Sequence, residues 1–387
     1  MNIIQCTKCL IPLNHPFGDT SSRSICRACR MDDPHSPFDD LIARVRSGKR
    51  GVYDCIVPIT GIAEDFYVLR RLADHNLKPL CVFVNSLLST DIAWKNVHRL
   101  IHMYDVELRT YTPNPFIYRK LIKNSLRKYQ DILIPYKMLK FAYPMKIAKS
   151  LNIKFILSGE FQPQLTTGKF KKMDSVENSL WSHFEHDLGC DYDSFFNSSL
   201  EVSEAAELPY KFDPYYHENE VHWEYLSNYQ VWDQWKQDHE MNLLGALAQN
   251  DPYSFDVNHR AGSSVFYQIN DFLRYKKFGY FKVLEHLARE VRAGRINVEN
   301  AHDLYLEYEK HNTQHQLVTS NISNFFGWLK IDQSGIDWFL QHYILNRSLV
   351  HSQCCSPVDY KGYFDRLIHV ESTNYSKTYC TYEKGIL

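Results

Sequence analysis

The feature that most constrains this chain is a series of short apolar segments alternating with helical ones. It opens at YDCIVPITGIAEDFYVLRRL, Tyr53 to Leu72. That stretch reads as a buried strand over Tyr53–Ile59, a turn with one glycine, and a helix from Ala63 to about His75. LCVFVN (Leu80–Asn85) follows as a second strand, then a helix near Asp91–Tyr104 and a third strand, ELRTY (Glu107–Tyr111). A helix from Pro115 to Arg127 and another over Leu139–Leu151 lead into a fourth strand, KFILSGE (Lys154–Glu160). Near-continuous apolar strands have no wet face, and strands joined through helices run parallel. The pattern therefore predicts an α/β fold, a parallel sheet with helices on both faces. Ligands of such sheets bind at the carboxyl ends of the strands. Those ends are Thr60–Gly61, Asn85–Ser86, Thr112–Asn114 and Ser158–Glu160.

Ahead of the sheet, Cys6-x-x-Cys9 and Cys26-x-x-Cys29 form two short knuckles. Each presents a pair of thiolates, and the intervening loop can bring the pairs together around a tetrahedral ion. The spacing predicts a structural zinc ribbon: four protein ligands leave no open position for chemistry. Arg23, Arg27 and Arg30 could help stabilise the thiolates. Cys55 and Cys81 lie in apolar runs and read as packing residues, while Cys190, Cys354, Cys355 and Cys380 have no ligand spacing. DDPHSPFDD reads as a linker and FDDLIARVRSGK as a short helix ended by Gly48.

After Phe161 the character changes. A polar loop and a stretch mixing aromatic and acidic residues lead, from about residue 226, into helical periodicity that continues to about 345. The reading divides the chain into a ribbon and linker (1–40), a nucleotide-binding domain (50–165), a mainly helical substrate or partner region (166–345) and a C-terminal tail (346–387). A net charge of −1 gives no general attraction to nucleic acid or anionic membrane. No apolar run is long enough to span a bilayer. The N-terminus lacks the charged start and apolar core of a signal peptide, so a cytoplasmic location is expected.

Several segments in this order resemble one family. They are the paired knuckles, YDCIV with its glycine loop and helix, KPLCVFVN, TPNPFIYRKLIKNSL, FAYPMKIAKSLNI, a strand ending in Gly-Glu, and YQINDFLRYKKFGY. Together they resemble the N-acetyl sugar amidotransferases of surface-polysaccharide synthesis, within the PP-loop ATP pyrophosphatase superfamily of adenine nucleotide alpha-hydrolase-like fold. The resemblance covers roughly residues 5 to 345. It implies ATP with Mg as cofactors, an acetamido sugar as substrate, and O-antigen or other lipopolysaccharide as destination. It also implies ammonia from a glutaminase subunit through a cyclase-like channelling subunit. On this resemblance Thr60, Gly61, Ile62, Ala63, Asn85 and Ser86 bind the nucleotide, and Glu64, Asp65 and Glu160 serve the chemistry.

The loop departs from the family pattern Ser-Gly-Gly-x-Asp-Ser. Thr60 keeps the hydroxyl and Gly61 the first glycine, but Ile62 replaces the second. Glu64 keeps a carboxylate on a longer arm, and Asp65 replaces the final hydroxyl. An ionised carboxylate accepts hydrogen bonds but donates none. Two carboxylates at a helix start satisfy its amides without any ligand, and they repel a polyphosphate unless Mg²⁺ bridges them to it. Phe161 also stands where the family has Asn. Three readings stay open: an amidotransferase with an altered loop, a homologue without ATP chemistry that binds partners, and a tRNA-thiolation enzyme. The last would need a basic surface, for which Arg119, Lys120, Lys123, Arg127 and Lys128 are the local candidates beside a solvated helix face.

Other polar groups have bland and functional readings. His98 and His102 stand four apart on a helix, either a surface pair or metal ligands. His183, Glu185, His186 and Cys190 could line a sugar site or hold a metal. Gln268, Asn270 and Asp271, followed by Arg274, Lys276 and Lys277, either face a ligand or cap a helix. Trp232 and Trp235 read as core.

Overall fold

A computed structural model describes residues 5–13, 24–26, 29–30, 37–129, 131–159, 221–249, 258, 261–262, 266–313 and 315–335. Helix α1 (Phe38–Gly48) buries Leu41, Ile42 and Val45 on one stripe and carries Asp39 and Asp40 in its first turn, where the helix dipole favours them. The sheet follows as β1 (Cys55–Ile59), α2 (Ala63–Asp74), β2 (Pro79–Val84), α3 (Asp91–Tyr104) and β3 (Glu107–Tyr111). Then come α4 (Pro115–Tyr129), α5 (Ile134–Ser150), β4 (Phe155–Ser158) and β5 (His222–Tyr225). The five strands lie in the order β3-β2-β1-β4-β5, and every neighbouring pair is parallel. The strand order therefore turns back between β1 and β4, where open α/β sheets form their crevice.

Alternate residues of β1 and β2 go to opposite faces, and every one is buried. Ile56, Leu80, Val82 and Val84 pack with α4 and α5, while Cys55, Val57, Ile59, Cys81 and Phe83 pack with α1, α2 and α3. Cys55 and Cys81 are thus core, and burial pushes both thiols well up from their ordinary range. The helical half comprises α6 (Gln234–Leu244), α7 (Tyr267–Phe278), α8 (Val283–Arg292), α9 (Val298–Asn312) and α10 (His315–Trp328). Ile269, Phe272 and Leu273 of α7 and Ile322, Phe325 and Phe326 of α10 extend the core on the α4–α5 side.

Four features differ from the sequence reading. A fifth strand, β5, lies in the stretch read only as mixed aromatic and acidic; its four residues give too little periodicity to recognise. Among the described residues β3 ends the sheet, and its side chains are half-buried or exposed, unlike those of β1 and β2. Helix α5 begins at Ile134 rather than Leu139, started by Pro135, whose fixed φ suits a first turn. Trp235 is 51% exposed, whereas Trp232 is buried against Tyr67. Helical spacing placed both tryptophans near the core, but Trp232 precedes α6 and is the buried one, while Trp235, in the first turn of α6, faces outward.

Candidate functional site

The turn after β1 delivers three successive backbone N–H groups to one point. Gly61 makes this possible with φ +83°, a conformation that side-chain-bearing residues rarely adopt. A Cβ there would also overlap the carbonyl of Ala93 in α3. Such a convergence of amides at a helix start is an anion site in general. Here the anion is the chain's own. Asp65 Oδ2 accepts from the N–H of Thr60 at 2.7 Å, of Gly61 at 2.6 Å and of Ile62 at 3.0 Å, with the Thr60 hydroxyl at 3.5 Å. Asp65 is the third residue of α2 and reaches back over the helix start, as the carboxylate of a capping box does. It is 6% exposed. Burial pushes its carboxyl up from the ordinary value, opposed by the three amides and by Lys140 of α5.

The loop is also clamped and covered. The Asn96 side chain, wholly buried on α3, donates to Gly61 O at 2.9 Å and Leu247 O at 2.8 Å, and accepts from Leu247 N at 2.8 Å. Every hydrogen bond of that amide holds the loop to the chain beyond α6. Thr90 caps α3 by accepting from Ala93 N at 3.0 Å, and its hydroxyl donates to Ala261 O. A Cβ on Gly262 would overlap the Ile62 side chain and stand 3.0 Å from Thr60 O. The isoleucine in place of a second glycine thus packs against the covering segment. Glu64 turns to the other side, where its carboxylate fills the space a side chain on Gly159 would need. This is the β1–β4 crevice, so both loop carboxylates occupy the region where a ligand of such a sheet binds.

The remaining predicted positions divide clearly. Ala63 is buried as the first residue of α2. Asn85 and Ser86 shape the turn after β2: Asn85 Oδ1 accepts from Leu87 N at 2.9 Å and Ser86 Oγ from Leu88 N at 3.2 Å. Asn85 also donates to Thr112 Oγ1 at 3.2 Å, joining two strand ends. Glu160 lies outside the described residues, as do Phe161, Arg23, Arg27, His183, Glu185, His186, Cys190, Cys354, Cys355 and Cys380. His98 and His102 are both exposed. In the YQINDFLRYKKFGY segment Asn270 accepts from Ile132 N at 3.2 Å. Asp271 accepts from Lys282 N at 2.8 Å and Tyr308 OH at 3.0 Å, at the start of α8, and Arg274 pairs with Glu285. Those three side chains hold helices together, and the side chains of Lys276 and Lys277 lie outside the description. On α4, Arg119 lies over the Trp328 ring and Lys120 over Phe116.

Asn96, Thr90 and Gly262 were not anticipated. Thr90 had a signal, a capping residue before Asp91. Asn96 had one too: it stands on the stripe of α3 that buries Ala93, Val97 and Leu100, and a polar group there needs partners.

The knuckles do meet. The sulfurs of Cys6, Cys9, Cys26 and Cys29 lie within 4.8 Å of one another, with three of the residues buried. Sulfurs about 2.3 Å from a tetrahedral zinc stand about 3.8 Å apart, and Cys9 and Cys26 are separated by 3.6 Å. The donor set fits a metal ion such as zinc. Hydrogen bonds from Cys26 and Cys29 lower the Cys9 thiol from its ordinary value. Among the described residues it is the one group suited to a metal, and no helix there is long and apolar enough to cross a membrane.

Comparison with known proteins gives three findings. No curated protein matches the chain. Among solved structures, an NMN synthetase from Francisella tularensis is similar over 51% of this chain and 89% of its own, at 12% identity and a TM-score of 0.24. Residues 253–346, which include α7 to α10, match the family model of the LPS biosynthesis protein WbpG-like, C-terminal domain.

Proposed function

We propose that this chain serves lipopolysaccharide biosynthesis as a homologue of the N-acetyl sugar amidotransferases whose nucleotide loop is closed by its own carboxylate, and that it acts as a partner-binding subunit without ATP chemistry. The match of residues 253–346 to a domain named for lipopolysaccharide biosynthesis supports the process. One observation carries the rest: Asp65 Oδ2 takes all three loop amides that a phosphate would use. A phosphate oxygen could enter only where that carboxylate sits, and Glu64 beside it adds a second negative charge. ATP with Mg does not fit the loop in this state. The partners are those the family resemblance implies, a glutaminase subunit and a cyclase-like channelling subunit. The four-cysteine cluster would hold zinc as a structural ion.

A second reading, the ATP-dependent conversion of an acetamido sugar to an acetamidino sugar, is favoured by the persistence of the loop's shape. Gly61 keeps its positive φ and the three amides still converge. That activity would require Asp65 to leave. Genetic complementation separates the two. In a strain lacking the chain, Glu64→Gln should restore the lipopolysaccharide profile as fully as the wild type does. Release of pyrophosphate by the wild type with an acetamido sugar and ammonia, lost in Glu64→Gln together with complementation, would overturn the proposal.

A further inference from the structure

We propose that the metal centre is a staple between the N-terminal cysteine segments and the C-terminal helices, and that Arg292 is its outer-shell residue. The contact is built from three sides. Arg292, in the last turn of α8, donates through Nη1 to Cys9 Sγ at 3.4 Å. Ala288 and Val291 of the same helix pack among the cysteines, with Ala288 wholly buried. Leu10, directly after Cys9, enters a different cluster, formed by Tyr280, Phe281, Leu284 and Leu287.

Leu10 is the link between metal and packing. Its φ is +67°, a conformation unfavourable for a side-chain-bearing residue. The knuckle imposes it: Leu10 N donates to Cys6 O and Cys6 N to Ile11 O, both at 2.9 Å. Ligation at Cys6 and Cys9 fixes both ends of that turn and so aims Leu10 into the helices. Without the ion, four close sulfurs lose the charge that holds them together, and the strained turn is free to relax. Four thiolates around a divalent ion leave a net negative centre, and the Arg292 guanidinium lies where it offsets that charge. A hydrogen bond to a ligand atom also orients the ligand, and loss of such a partner typically costs about 10–100-fold in metal affinity.

Hydrogen exchange on the full-length chain, zinc-loaded and then stripped with a chelator under reducing conditions, tests the staple. Stripping should deprotect α8 as well as residues 5–13, while β1 and β2 stay protected. Exchange confined to residues 5–13 would overturn it. For Arg292, cobalt replaces zinc as the probe. Arg292→Gln should bind cobalt about tenfold or more weakly and shift the thiolate-to-cobalt charge-transfer band, with Arg292→Lys recovering part of both. Wild-type affinity and spectrum in Arg292→Gln would refute its assignment. Should Arg292→Gln not fold, Leu10→Ala decides: the staple predicts an unchanged cobalt spectrum with α8 deprotected, and full protection of α8 would refute it.

Discussion

Replacing Asp65 by serine should destabilise the chain and, at the same time, create a phosphate response that the wild type lacks. The carboxylate oxygen holds three N–H groups at 2.6 to 3.0 Å. Hydrogen bonds to a charged group contribute about 1.5–3 kcal/mol each. A serine hydroxyl can recapture one amide, leaving two bonds, or about 3–6 kcal/mol, to lose. Removing a buried charge returns part of that, so a net loss of about 2–4 kcal/mol is expected. The vacated amides would then take an anion. A ligand at a hundredfold its Kd stabilises by about 2.7 kcal/mol, enough to restore most of the loss. Urea unfolding followed by tryptophan fluorescence, with inorganic phosphate against chloride at equal ionic strength, measures both effects. Wild-type stability in Asp65→Ser, or an equal phosphate response in the two proteins, would refute the reasoning.

The clamp and the turn give further predictions. Asn96→Leu strands Gly61 O and both backbone groups of Leu247, so a loss of about 2–4 kcal/mol should accompany faster hydrogen exchange at the Leu247 amide. Gly61→Ala should cost about 1–2 kcal/mol for its positive φ and about 1–3 kcal/mol more for overlap with Ala93, read as a lower urea midpoint. His222 supplies a pH test. Burial, and then Arg44, lower its pKa from the ordinary 6.5. The folded state thus resists protonation, so the unfolded chain gains protons first as pH falls below 6.5. His222's contribution is whole above that value and lost as pH falls toward the lowered one. His222→Phe, which can keep the stack on Phe155, should flatten that part of the stability curve; an unchanged acid limb would contradict the shift.

How far the sequence reveals this molecule depends on how local each signal is. β1 and β2 were legible because both faces of each strand are buried and the residues are apolar throughout. The cysteine cluster was legible because short knuckles make thiolate pairs whatever the surroundings. At the loop, residue types alone indicated that carboxylates at the α2 start would satisfy amides without a ligand, and Asp65 does so. That one oxygen takes three amides was not legible, because it depends on the φ of Gly61 and the helix entry. Nor was the Asn96 clamp, whose partner Leu247 is 151 residues away. Ile62 looked like a loss of fit to phosphate; its packing against Gly262, two hundred residues later in the chain, gives it a structural reason. β5 escaped because four residues at the sheet edge carry little pattern, and Trp235 because spacing does not say which side of a helix is covered.

The central claim is that the loop's anion position is filled from within the chain. Calorimetric titration of ATP with Mg into the zinc-loaded full-length protein, alongside Asp65→Ser, tests it most directly. The account predicts no binding by the wild type up to millimolar ATP, with binding gained in Asp65→Ser. Micromolar binding by the wild type would contradict it.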